Sequence, residues 1–158
     1  MNFTERLKPD AIILPMISTT KDGVLQELVN KFASTYHITN PKALFDELRS
    51  RESLASTFLP NGLALPHARS DLVKDLSLII GVAPNGISDR SESGNSKAKI
   101  FCLFFSPANE KAFAEHLKFL SQISSIFSEP NLVDELSQIK ETSQFISRIK
   151  KREEDLEL

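Results

Sequence analysis

The sequence predicts a single α/β domain in which a central mixed β-sheet is flanked by helices. Three observations carry that prediction. A chain of 158 residues suits one hydrophobic core. Two segments, Leu76 to Ala83 and Lys99 to Phe105, hold the consecutive apolar residues of strands covered on both faces. Helical spacing of apolar residues both precedes and follows those strands. No internal repeat or long linker divides the chain, so residues 1–150 are expected to form the domain and 151–158 a charged C-terminal tail that frays.

The elements follow in order. Val24, Leu25, Leu28, Val29, Phe32 and Ala33 recur at three- and four-residue intervals behind Thr19 and Thr20, either of which can cap a helix. Asn40-Pro41 supplies a second N-cap with proline at the first helical position, and Leu44, Phe45 and Leu48 form the apolar face of a helix expected to end near Arg51. Between Ala55 and Leu65 short apolar pieces are broken by Pro60-Asn61-Gly62, which reads as strand, turn and strand. The two apolar runs should be the central strands. Pro84 to Ser96, rich in Ser, Gly and Asn, reads as a surface loop between them. Asn109 can cap a long helix whose shared face is read as Phe113, His116, Leu117, Leu120, Ile123 and Phe127. Two shorter helices follow, one with Leu132, Val133, Leu136 and Ile139, the other with Phe145, Ile146 and Ile149.

Composition narrows the function. A net charge of -2, with 41% hydrophobic and 25% charged residues, gives no basic surface for nucleic acid. No apolar run approaches the roughly 20 residues that cross a bilayer, so no membrane insertion is expected. The charged start, Met1 to Lys8, lacks the pattern of an export signal, and the lone Cys102 lies in an apolar run, which together favour the cytoplasm. Ligand spacings such as H-x-x-x-H or C-x-x-C are missing, as are nucleotide-binding glycine motifs and the G-x-S-x-G elbow. Neither a metal nor a cofactor is therefore expected.

What remains is histidine chemistry. His67 ends the strand-like run Asn61-Gly-Leu-Ala-Leu-Pro-His67, where the fixed backbone angle of Pro66 sets an imidazole at a sheet edge. By residue type it suits either a routine loop hydrogen bond or a nucleophile. His116 sits on an apolar helix face, where a satisfied core histidine is the commoner role. His37 lies in a short connection between helices and is assigned no role. Neutral imidazole is a good nucleophile near pH 7 and a good leaving group once phosphorylated. A guanidinium and a second imidazole would stabilise the phosphoryl oxygens, and Arg51 and His116 are candidates by type.

These residues also carry a family resemblance. Arg51-Glu52-Ser53, Ser56-Thr57, Gly62-Leu-Ala-Leu-Pro-His67 and His116-Leu117-Lys-Phe-Leu120-Ser-Gln-Ile123 resemble the enzyme IIA domains of the bacterial phosphoenolpyruvate-dependent phosphotransferase system, fructose and mannitol class. Leu7-Lys-Pro-Asp10 and Thr19-Thr20-Lys21 resemble the nitrogen-regulatory member. The likeness covers nearly the whole chain. It implies a mixed sheet flanked by helices, a phosphoryl acceptor at His67, a second active-site histidine at His116 and a phosphate-stabilising arginine at Arg51. It also implies a donor, the histidine-containing phosphocarrier protein, and a downstream cytosolic target or permease component. The family often has an aspartate and a Pro-Val segment where this chain has Gly94-Asn-Ser-Lys-Ala-Lys99. With no transport domain in the sequence, the regulatory branch is the expected role. A sugar-specific carrier feeding a permease, and a binding module of the same fold that works without phosphorylation, are the alternatives.

Overall fold

The computed structural model describes residues 2–89 and 96–157. It opens with a short helix that sequence periodicity did not reveal, α1 (Phe3–Arg6), started by a reciprocal capping box between Asn2 and Glu5. A single 3-10 turn (Pro9–Ala11) leads into β1 (Ile12–Ile13). α2 (Lys21–Tyr36) is capped by Thr20, whose side chain accepts from the Gly23 amide. It ends at exposed His37 in the left-handed conformation, φ 58°. α3 (Pro41–Leu54) is capped by Asn40 and runs past the expected stop, which leaves Arg51 inside its last turn.

The expected strand, turn and strand over 55–65 shrinks to one bridge, Phe58 with Ala64, around the Pro60-Asn61-Gly62 turn. Gly62 takes φ +89° there, and a Cβ would lie 3.0 Å from Val133 Cγ1, so both conformation and space select glycine. β2 (Leu63–Ala64) and β3 (His67–Arg69) then lie end to end along one edge of β5 (Ser96–Ser106), both parallel to it. β4 (Ser77–Asp89) pairs antiparallel with β5, and β1 pairs parallel with β4, giving the order β1-β4-β5-β2 with β3 also on β5. The two apolar runs are thus the central strands.

Where a surface loop is expected over 84–96, the chain is strand up to Asp89 and again from Ser96. β4 continues through Pro84-Asn85-Gly86 to Asp89 with a register shift between Val82 and Ile87, because Gly86 at φ +78° lets an irregular stretch rejoin the ladder. The rest of that segment, residues 90–95, lies outside the described residues.

Alternation along the central strands builds two cores. Leu78, Ile80, Ile100, Cys102 and Phe104 face α4 (Glu110–Ile126), α5 (Leu132–Ser137) and α6 (Thr142–Leu156). Ile79, Phe101, Leu103 and Phe105 face α2 and α3 through Leu28, Phe32, Leu44 and Leu48. The result is a single α/β domain with helices on both faces of a mixed sheet. Burial pushes the Cys102 thiol up, as befits an inert strand residue. Among the described residues no helix is long and apolar enough to cross a membrane.

Two further expectations need adjustment. On α4 the buried stripe is His116, Phe119, Ile123 and Ile126, whereas Phe113 and Leu117 are 45% and 50% exposed. The sheet meets the stripe at i, i+3, i+7 and i+10, which turns the predicted outer members toward solvent. The charged tail, expected to fray, is helical to Leu156, because Glu153 is buried and accepts the Phe3 and Thr4 amides at 2.7 and 3.0 Å and the Thr4 hydroxyl. A carboxylate at a helix N-terminus satisfies amides that the helix itself leaves unpaired.

Candidate functional site

β3 begins at the residue after Pro66, and its register places His67 opposite Phe104 on β5. The strand ladder therefore sets the imidazole directly over an aromatic ring. The two ring centroids lie 5.0 Å apart and the planes are inclined by 5°. His67 Nδ1 is 2.6 Å from the Leu65 carbonyl oxygen. A carbonyl can only accept, so the neutral ring carries its proton on Nδ1 and keeps its in-plane lone pair at Nε2. Burial lowers the His67 pKa below the ordinary imidazole value. Arg51 adds to that effect, while the Leu65 bond and Glu52 oppose it.

The buried stripe of α4 brings His116 to the same place. Its ring lies 5.6 Å from that of His67 and 5.2 Å from that of Phe104. His116 Nδ1 is 2.6 Å from the hydroxyl of fully buried Ser106, the last residue of β5. Burial, then the neighbouring His67 and Arg69, push the His116 pKa down to about 4. Both rings are thus neutral near pH 7. Imidazole at neutral charge can serve as nucleophile or donor without a proton having to leave first.

Arg51 reaches the site through its charge. In this structure its Nη1 donates to the Ala55 carbonyl at 3.2 Å, closing the C-terminal turn of α3. The structure thus gathers His67 and His116 in ring-to-ring proximity, while Arg51, in the last turn of α3, acts on His67 through its charge.

Sequence reasoning missed three contributors. Arg69, two residues after His67 on β3, lies 4.9 Å over the Phe113 ring and donates to the Asn109 carbonyl at 2.6 Å. Phe104 and Ser106 come from β5, and nothing local in their own sequence points to a site. The i, i+2 relation of His67 and Arg69 was the one available signal, since alternate strand residues share a face. Among the described residues, no three His, Cys, Asp or Glu side chains cluster as metal ligands would.

Residues 5–152 match the family model described as "Phosphoenolpyruvate-dependent sugar phosphotransferase system, EIIA 2". A nitrogen regulatory protein of Bradyrhizobium diazoefficiens is 29% identical over 136 residues, covering 86% of each chain. The fructose-specific EIIABC component of Bacillus subtilis is 26% identical over 149 residues, which are 94% of this chain but 23% of that protein. Among solved structures, the nitrogen regulatory protein IIA-Ntr of Neisseria meningitidis superimposes with a TM-score of 0.80 at 22% identity, covering 92% of this chain and 97% of that one. With the family model spanning almost the whole domain, this chain belongs to the EIIA type 2 family of the phosphoenolpyruvate-dependent sugar phosphotransferase system.

Proposed function

We propose that His67 accepts a phosphoryl group at Nε2 from the phosphohistidine of a small histidine-containing phosphocarrier protein, and that the modified protein acts on the regulatory branch of the system in the cytoplasm. The observation that carries this reading is the bond between His67 Nδ1 and the Leu65 carbonyl, which leaves Nε2 as the nucleophilic nitrogen. As the Nε2 lone pair forms the new N–P bond, the donor's N–P bond breaks and its electron pair returns to the donor imidazole. The acceptor ring then bears positive charge while it keeps its Nδ1 proton, and the Leu65 carbonyl stabilises that charge.

Two groups serve the phosphoryl oxygens. Arg51 exchanges its Ala55 carbonyl for a phosphoryl oxygen, a charge-assisted bond that a guanidinium makes well. Neutral His116 becomes a donor at Nε2 when Ser106 donates to its Nδ1. The readout is electrostatic, since phosphorylation adds about two negative charges at the cleft and so makes or breaks an interface there. Likeness to nitrogen regulatory proteins over most of both chains supports the regulatory role. The match to a fructose-specific component over 94% of this chain supports a second reading, a carrier that passes phosphate to a permease component.

The test is to supply phosphoenolpyruvate, enzyme I and the phosphocarrier and to map the label. It should sit on His67, be lost in acid and survive base. Label retained in His67→Ala would sink the assignment. To separate the two roles, partners are captured from lysate with His67→Ala and with the phosphorylated protein, and sugar uptake is measured in a deletion strain. Identical partner sets with loss of uptake of one sugar would replace regulation with transport.

A further inference from the structure

Glu52 follows Arg51 yet turns inward and is only 7% exposed. Burying a carboxylate is costly unless it is paired and hydrogen-bonded, and here its bonds run in one direction. Oε1 accepts from the Thr57 amide at 2.9 Å, and the Thr57 hydroxyl lies 2.8 and 3.0 Å from the two carboxylate oxygens. The Thr57 carbonyl accepts the Leu65 amide at 3.1 Å. The Leu65 carbonyl in turn accepts from His67 Nδ1. These bonds form a series from a buried charge to the imidazole.

The compensating cation supports the same account. Lys21 Nζ lies 3.7 Å from Glu52 and 3.0 Å from Asp89, above the Phe58 ring. Lys21 is the first residue of α2, where a positive charge opposes the helix dipole, so the two carboxylates account for its place there and the helix does not. Asp89 accepts from the Ser56 hydroxyl. Ser56 and Thr57 are thus held side by side by two carboxylates that share one ammonium.

We propose that Glu52 is a positioning residue that sets the orientation and tautomer of the His67 imidazole by way of Thr57 and Leu65. The proposal rests on the reading of His67 as phosphoryl acceptor. When Glu52 is removed, Thr57 is released, the Leu65 carbonyl drifts, and His67 samples the tautomer whose proton occupies Nε2, which cannot attack.

The experiment uses the full chain. Imidazole ¹⁵N spectra at neutral pH report the His67 tautomer, and transfer from pre-phosphorylated phosphocarrier reports the rate. In wild type, Nδ1 should carry the proton. Glu52→Ala should populate both tautomers and slow transfer on the order of tenfold to a hundredfold, the scale of a misaligned reacting group, through kcat more than KM. Glu52→Gln, which can still accept from Thr57, should restore most of both. Thr57→Val, close in shape, should give a smaller change of the same sign and decides the matter if Glu52→Ala does not fold. An unchanged tautomer in a folded variant overturns the proposal, as does slower transfer with no tautomer change. If wild type takes no label at His67, the acceptor reading falls, and the spectra still decide whether Glu52 controls the ring.

Discussion

The imidazole of His67 lies nearly parallel to the ring of Phe104, which is fully buried and also packs edge-on against Phe119. The proposed acceptor therefore rests on the hydrophobic core itself. Phe104→Ala should cost about 3–5 kcal/mol of stability, the range for emptying a buried phenylalanine site. Phe104→Leu should cost less yet still slow transfer, because the flat support is lost while the volume is mostly kept. Denaturant unfolding and transfer rates measured on both variants check this, and wild-type transfer in Phe104→Leu would show that the stack has no part in placing the ring.

Arg51 and His116 should assist and never accept. Arg51→Ala should reduce the transfer rate about 10- to 1,000-fold, the effect of losing one charged donor to a developing anion. His116→Ala should slow transfer while the label stays on His67. Peptide mapping of the labelled variants gives the answer, and a wild-type rate in Arg51→Ala would remove that residue from the chemistry.

Both histidines have folded-state pKa values below their unfolded ones, His116 at about 4. Transfer should accordingly stay level on acidification through the ordinary imidazole range near pH 6.5 and decline below it, as His67 takes up its proton. Stability obeys the same sign. Between about pH 6.5 and about 4 the unfolded chain binds protons that the folded chain excludes, so stability falls as pH drops through that window. His116→Gln should flatten part of the fall in urea titrations across this range; a slope identical to wild type would mean that His116 does not contribute.

Glu153 joins the last helix to the first through three bonds to Phe3 and Thr4. Glu153→Ala should destabilise the protein by about 1–3 kcal/mol, the cost of leaving buried donors unpaired. Hydrogen exchange at the Phe3 and Thr4 amides should accelerate, while phosphoryl transfer to His67 should hardly change. Slow exchange at both amides in the variant would refute the latch.

Helices with local start signals were legible in the sequence. Thr20, Asn40 and Asn109 each accept from an amide three residues on, an interaction written entirely in neighbouring residues. α1 was not legible, since four residues make too weak a nucleus on their own and its anchor, Glu153, stands at the far end of the chain. The same division applies to the site. His67 stands out because Pro66 precedes it, while His116 and Arg51 are candidates by residue type to which the family resemblance gives roles. Phe104, Ser106 and the path from Glu52 to Leu65 depend on parallel pairing and on loop contacts that periodicity cannot express. Spacing alone puts Phe113 on the shared face of α4, whereas in the fold it is partly exposed beneath the Arg69 guanidinium.

The sheet's middle pair, β4 and β5, is antiparallel and adjacent in sequence, whereas its edges are closed by parallel pairings over longer separations. Chain closure is cheapest for the middle pair, so it should form early and the segment bearing His67 should dock late. The imidazole thus belongs to an edge of the sheet, which has less to lose by opening than the middle pair. A three-residue ladder joins β3 to β5, extended at each end by one backbone bond, Phe104 amide to Pro66 carbonyl and Ser70 amide to Ser106 carbonyl. This edge should therefore open at lower cost than the middle pair, a local excursion that would expose His67 without unfolding the protein. In native-state hydrogen exchange, amides of β3 should open at a lower free energy than those of Leu103 or Ile79, and an incoming phosphohistidine would then meet a surface that moves more freely than the scaffold beneath it.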